Sequence, residues 1–246
     1  MPEHLYTIPV NEAFDADTEC PICEMVHSLN ENALDFTLGP SYMEDDVRMV
    51  TDKVGFCERH VAEMYKRGNR LGLALMLKTH ADKVIEDIEK KQKGLFVTAP
   101  HKFLGKKEKS ANPVSEYINN VNSTCFICNR VNETYKRYID TMFYLYADSK
   151  EFKEKFDSSK GFCLSHYNFL LEKCTEYLDK NKAKEFADTC SKIFTENMKR
   201  VRDDLSWFID KFDYRNTDAP WKDSKDALQR MMLKQNSLYY KNPDSK

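Results

Sequence analysis

Glycine and proline are scarce in this chain: seven glycines in 246 residues, 2.8%, where an average protein carries about 7%, and eight prolines, 3.3%, against about 5%. So few chain breakers point to helices, and no run of strand-type alternation argues otherwise. Charge of one sign is missing too. With 38 basic and 40 acidic side chains the net charge is −2, which excludes the strong basicity of a DNA-coating protein. Met1-Pro2-Glu3-His4 has no basic region leading into an apolar one, so no signal peptide is expected. The longest apolar run, Leu71 to Leu77 with Gly72 inside it, falls far short of the roughly 18 residues of a membrane span. A cytoplasmic protein without membrane association is the expectation. In that reducing compartment CxxC cysteines are metal ligands or redox thiols before they are disulfides.

Against these absences stand eight cysteines, six of them in a pattern that occurs twice. Cys20-Pro21-Ile22-Cys23 is answered by Gly55-Phe56-Cys57-Glu58-Arg59-His60, and Cys125-Phe126-Ile127-Cys128 by Gly161-Phe162-Cys163-Leu164-Ser165-His166. Between the CxxC and the CxxH lie 33 residues in the first copy and 34 in the second; the copies are offset by 105 residues at the first cysteine and 106 at the third. One unit is used twice.

Each copy reads as helical, giving an all-α chain of two tandem helical hairpins followed by long C-terminal helices. Ile22, Met25, Val26, Leu29, Ala33 and Phe36 form one stripe, matched by Ile127, Val131, Tyr135, Tyr138, Met142 and Leu145. Gly39-Pro40 and Ala147-Asp148-Ser149 are the stop signals. Later stripes run through Leu77, Ala81, Val84, Ile85 and Ile88, and through Phe186, Cys190, Ile193, Phe194, Val201, Leu205, Phe208 and Phe212. The expected division is a first unit at 1–93, a basic linker at 94–113, a second unit at 114–213, and a C-terminal segment at 214–246 with a short helix from about Asp223 to Lys234 and a frayed end.

The repeated pattern has the chemistry of a metal site. A CxxC turn lets two sulfurs converge, and CxxH at a helix start adds two ligands three residues apart on one face. Both pairs open helices, where free N–H groups and the positive dipole end favour thiolate. The ligands expected are Cys20, Cys23, Cys57 and His60, and Cys125, Cys128, Cys163 and His166: a Cys3His set per copy, with zinc, two per chain, as the cofactor and an iron–sulfur cluster as the alternative. Hairpin arithmetic favours closure within each copy, since two antiparallel helices of about 13 to 16 residues go out roughly 20 Å and come back. Pairing the CxxC of one copy with the CxxH of the other stays open. A thioredoxin-like reading lacks its βαβ context, and c-type haem lacks a histidine directly after CxxC, where Glu24 and Asn129 stand.

Comparing the copies filters the rest. His27 shares a face with Cys20 and Cys23, but Asn132 holds its place in the second copy, so His27 reads as a neighbour of the site and not a ligand. His4, His80 and His101 read as ordinary histidines, and Cys174 and Cys190 as core thiols. The basic run Lys102 to Lys109 reads as a solvated linker. Trp207 to Trp221 is dense in aromatics and Asp/Arg pairs; the reading there is a helix end folding back, and the segment Asp213 to Trp221 is the first place to look for a ligand pocket.

The doubled CxxC and Gly-Phe-Cys-x-x-His, with Lys211-Phe-Asp-Tyr-Arg-Asn-Thr-Asp-Ala-Pro-Trp221, resemble the bacterial family catalogued as Domain of Unknown Function 6062, from about Ile8 to Arg230. The resemblance implies a bacterial cytoplasmic origin and no catalytic residue. The expected function is non-enzymatic: a zinc-stapled helical module that binds another macromolecule, protein before nucleic acid. The alternatives are an iron–sulfur or thiol-based redox sensor and, lacking any further carboxylate or histidine cluster, a metal-dependent hydrolase last.

Overall fold

The helix signals resolve into eleven α-helices and no strand among the described residues, 4–95 and 112–239 of a computed structural model. Both CxxC helices end at their stop signals. Helix α2 (Pro21–Leu38) closes as the Gly39 N–H donates to Asp35 O at 2.8 Å. Helix α7 (Phe126–Asp148) ends at Ser149, whose hydroxyl accepts the Phe152 N–H at 3.2 Å and so caps α8 (Lys150–Ser158).

Helix lengths decide the topology. The 18 residues of α2 rise about 27 Å, while the 10 residues of the return helix α3 (Asp45–Val54) cover only about 15 Å. In the second copy 23 residues carry α7 about 34 Å and the nine of α8 return about 14 Å. The return helices are too short to bring CxxH back to its own CxxC. Accordingly the chain forms two compact units, Asn30–Glu133 and the remainder on either side of it, whose boundaries fall inside α2 and α7 and not in the 94–113 stretch. The expected 1–93 unit therefore contributes to both. Residues 96–111, which include His101 and the basic run, lie outside the described residues.

In the Asn30–Glu133 unit, α3 packs along α5 (Arg70–Leu95). The Arg48 guanidinium donates to Leu75 O at 3.1 Å and Thr79 Oγ1 at 2.7 Å, and His80 Nδ1 lies 2.8 Å from Asp52 O. Leu34, Val47, Leu73, Met76, Ile127 and Met64 of α4 (Glu58–Lys66) are buried. The stripe expected on α5 does not hold, because Leu77 and Ile85 are 37% and 56% exposed and Ala81 is exposed. Only the start of α5 lies under α3; farther on its neighbour is α6 (Pro113–Asn122), which meets it through Tyr117, with Lys91 over the ring at 5.4 Å.

The other unit is built on aromatics. Phe156, fully buried on α8, meets the rings of Phe14 (α1, Thr7–Asp15), Tyr146, Phe162 and Phe186 at 5.0–5.8 Å. Helix α9 (Leu164–Tyr177) supplies Leu170 and Cys174 to this core, and α10 (Lys180–Asp210) supplies Phe186, Cys190 and Ile193, so both extra cysteines are buried core thiols as expected. Phe212 does not continue the α10 stripe: the helix stops at Asp210 and the ring is 75% exposed. The chain then folds back, as expected, around the buried Lys211, whose ammonium donates to the carbonyls of Asn216, Thr217 and Ala219 at 2.5–2.8 Å. It finishes in α11 (Ala227–Asn236), close to the expected short helix.

Candidate metal centres

Four helices carry cysteine at the N-cap: Cys20 before α2, Cys57 before α4, Cys125 before α7 and Cys163 before α9. Each N-cap carbonyl accepts its first intrahelical bond, at 2.8–3.2 Å, so the sulfurs stand at the positive ends of the helices, where Cys20 and Cys163 each accept the N–H of the residue three on at 3.5 Å. Three residues on, at N3, stand Cys23, His60, Cys128 and His166, on the same face as the cap. Gly55 and Gly161 make the approach, at φ +62° and +79°, a left-handed backbone closed to other residues without strain. A Cβ on Gly55 would also lie 2.5 Å from His80 Nε2.

The eight expected residues form two clusters, but not the expected two. Cys20 and Cys23 stand with Cys163 and His166, and Cys125 and Cys128 with Cys57 and His60; in each cluster the ligand atoms lie within 4.8 Å of one another. Closure within each copy is thus overturned in favour of the crossed pairing, for the reason of helix length given above. His166 Nδ1 is 3.5, 3.3 and 3.2 Å from the sulfurs of Cys20, Cys23 and Cys163, and Cys23 is 3.6 Å from Cys163. His60 Nδ1 is 3.2, 3.2 and 3.4 Å from Cys57, Cys125 and Cys128, and Cys57 is 3.9 Å from Cys128. A tetrahedron with metal–sulfur bonds of about 2.3 Å and metal–nitrogen bonds of about 2.1 Å has edges of about 3.8 and 3.6 Å. Both clusters have that size and can hold a metal ion.

The titration of the clusters shows a shortage of positive charge. Burial opposes the charged form of His166, yet its hydrogen bonds and charge interactions with the sulfurs of Cys163 and Cys20 outweigh it and lift the imidazole to about 9. Cys23 is pushed up by its hydrogen bonds with Cys163 and Cys20 and by burial, and burial followed by Cys125 pushes Cys128 up to about 12. Three sulfurs around one point cannot all ionise without a cation among them. His60 goes the other way: burial, with Arg59 beside it, holds it below the usual imidazole value, so its ring stays neutral and able to bind metal.

Several partners of the clusters are not apparent from ligand spacing. Asn30 Oδ1 and the Arg59 guanidinium both lie 2.8 Å from His60 Nε2. Only the Asn30 oxygen can accept from an Nε2–H, and that bond leaves the Nδ1 lone pair facing the sulfurs. Asn30 is held in turn by donating to Glu63 at 3.0 Å. In the other cluster Tyr135 holds the place of Asn30, its ring 6.1 Å from Phe169.

The half-sites are also tied together differently. In the Asn30–Glu133 unit the Phe126 N–H donates to Gly55 O at 2.9 Å and the Thr124 hydroxyl to Val54 O at 2.8 Å. Pro21 occupies the place of Phe126 in the other cluster and has no N–H. There the fully buried Lys234 of α11 makes the link, donating to Glu19 O at 2.8 Å and Lys160 O at 2.5 Å. Glu19, 5% exposed, is held by both Arg200 bonds, at 2.6 and 2.8 Å, and lies 3.3 Å from the Lys234 ammonium. The signals available were the mismatches between copies, Asn30 with Tyr135 and Pro21 with Phe126, and a lysine behind Met231-Met232-Leu233.

Of the expected bystanders, His27 stacks on Tyr239 at 4.1 Å between ring centroids and ligates nothing in either cluster. In the Asp213–Trp221 segment the Asp213–Arg215 pair is exposed and the Trp207 indole donates to Pro220 O at 2.9 Å, which makes the segment a folded-back helix end. The nearby cavity, about 470 Å³, is lined by charged side chains from outside the segment, among them Lys160, Arg200, Lys222 and Arg230.

No helix among the described residues is long and apolar enough to cross a membrane. A family model described as Family of unknown function (DUF6062) matches residues 1–242. No curated protein and no solved structure matches the chain.

Proposed function

The chain belongs to the Family of unknown function (DUF6062), and from that premise, which assigns no activity, we propose that it is a non-enzymatic cytoplasmic protein held together by two structural zinc ions and built to bind another protein. The observation that carries the zinc reading is the size of the clusters: four ligand atoms within 4.8 Å, three sulfurs and one imidazole nitrogen, at the edge lengths of a single tetrahedral ion. An iron–sulfur cluster distributes its ligands over two or four irons and so spreads them beyond one tetrahedron. All four positions are filled by protein, which supports a structural role over a hydrolytic one. Ile209, Phe212 and Tyr214, 62%, 75% and 86% exposed at the end of α10, support a protein partner.

Elemental analysis of reduced, freshly purified protein tests this. About two zinc per chain and a colourless solution are expected; absorbance near 400 nm with iron present would replace zinc by a cluster, and no bound metal would end the reading. Partner binding is tested by cross-linking in cells, where Phe212→Ser with Tyr214→Ser removes the expected cross-links. Cross-links unchanged in that variant would place the partner surface elsewhere.

A further inference from the structure

We propose that the two centres are unequal by construction: the one formed by Cys20, Cys23, Cys163 and His166 releases its ion slowly from behind a C-terminal strap anchored by Lys234, and the one formed by Cys57, His60, Cys125 and Cys128 exchanges its ion readily with solvent ligands. This rests on the reading of both clusters as zinc centres. Cys20, Cys23 and Cys163 are 0%, 5% and 0% exposed, whereas Cys57 and Cys128 are half-buried. Exchange at zinc passes through an expanded coordination shell, so an incoming ligand must reach the ion before an old one leaves. The half-buried Cys57 and Cys128 leave such a path at one centre, although His60 and Cys125 beside them are buried; at the other all three sulfurs are buried and the only half-buried ligand is His166.

The closure comes from residues that lie after the duplicated pattern. From α11 to Tyr239 the chain crosses the buried centre and is pinned at three points. Lys234 bonds the carbonyl before Cys20 and the carbonyl before Gly161, one from each half-site, so the halves cannot part without stripping a buried ammonium of its acceptors. Its charge also offsets the net −1 of one Zn²⁺ with three thiolates. Ser237, in the left-handed conformation at φ +56°, sets its hydroxyl 3.1 Å from Cys163 Sγ. Tyr239 donates to Glu24 at 2.5 Å and covers His27 on the first turns of α2.

The test is zinc release from the full chain, loaded with two zinc ions as verified by elemental analysis, into excess chromogenic chelator. Two phases of one equivalent each are expected, the second at least tenfold slower. Cys57→Ala removes the fast phase, and Lys234→Met accelerates the slow one at least tenfold without changing the fast one. Should Lys234→Met fail to fold, the double variant Ser237→Ala with Tyr239→Phe carries the same test, since it loosens the strap and leaves Lys234 in place. Release of both ions in one phase, or a slow phase indifferent to these changes, overturns the inequality. Failure to load two ions overturns instead the zinc reading beneath it.

Discussion

Crossed pairing of the ligands has a consequence that no arrangement within the copies shares. Take two double variants, Cys23→Ala with Cys163→Ala and Cys23→Ala with Cys57→Ala. In the structure the first pair belongs to one centre, where the two sulfurs are 3.6 Å apart, and the second pair is divided between centres. Structural zinc binds with about 10–16 kcal/mol at neutral pH, so each of four ligands carries on the order of 2.5–4 kcal/mol, or roughly 10² to 10³ in Kd. With free zinc buffered midway between the wild-type and single-ligand-loss affinities, a centre missing one ligand empties and an intact one stays filled. The first double variant should then hold one zinc and the second none, read by elemental analysis after gel filtration in the same buffer. Closure within each copy predicts the reverse, zero for the first and one for the second. That reversed pair of values, in variants whose circular dichroism remains helical, would refute the crossed assignment.

Replacing Asn30 by Leu removes the acceptor that orients His60 and should weaken that centre about 10- to 100-fold in zinc affinity while the centre of His166 is unchanged; equal affinities in a competition titration would count against the role of Asn30. Truncating Phe156 to Ala, fully buried among four rings, should cost about 3–5 kcal/mol in denaturant unfolding, and a loss under about 1 kcal/mol would mean that the aromatic core is not packed as described. Zinc affinity should fall as the pH falls, by more than one log unit per pH unit between about 8 and 6, because binding must displace protons from thiols such as Cys128, which burial and Cys125 push up to about 12; an affinity flat across that range would exclude thiolate ligation. Disabling the centre of His60 with Cys57→Ala should lower the affinity of the other centre about threefold by lengthening the loop that it closes, measured by competition titration, and no change would speak against nested closure.

Features set by neighbouring residues were legible in the sequence. Cysteine at an N-cap and cysteine or histidine at N3 are a local pattern, and so are the Gly39 and Ser149 stops; the eight residues that cluster and both CxxC helices follow from them. Pairing is not local. It turned on α3 and α8 being 10 and nine residues long and not 13 to 16, in mostly polar stretches, where a few residues decide whether a hairpin closes. The failure on α5 has the same origin: Leu77 and Ile85 keep a helical period, but which face is covered depends on where α3 stops and α6 begins. Lys234 was unreadable for a different reason. A buried lysine is justified only by acceptors that converge on it, here the carbonyls of Glu19 and Lys160, and carbonyls have no signature in a sequence.

The crossing also changes what an ion does for the chain. Within a copy each ion would close a separate loop of about 34 residues, and the two closures would be independent. Crossed, the link from Cys23 to Cys163 spans 140 residues and encloses the one from His60 to Cys125, which spans 65. Once the inner centre is closed, the free path of the outer loop falls to the 34 positions from Cys23 to Cys57 and the 35 from Cys128 to Cys163. Halving a loop lowers the entropy of closing it by about 0.6 kcal/mol, close to a factor of three in affinity. An ion in the inner centre would therefore assist binding at the outer one, although the two clusters share no residue. Order of filling and order of release then differ for separate reasons. Filling follows loop closure in the unfolded chain, which favours the centre of His60; release follows access in the folded one, which spares the centre of His166 beneath Lys234. Residues 20–60 and residues 125–166 each carry half of both centres, so neither stretch can complete a site alone, and folding of one is bound to folding of the other.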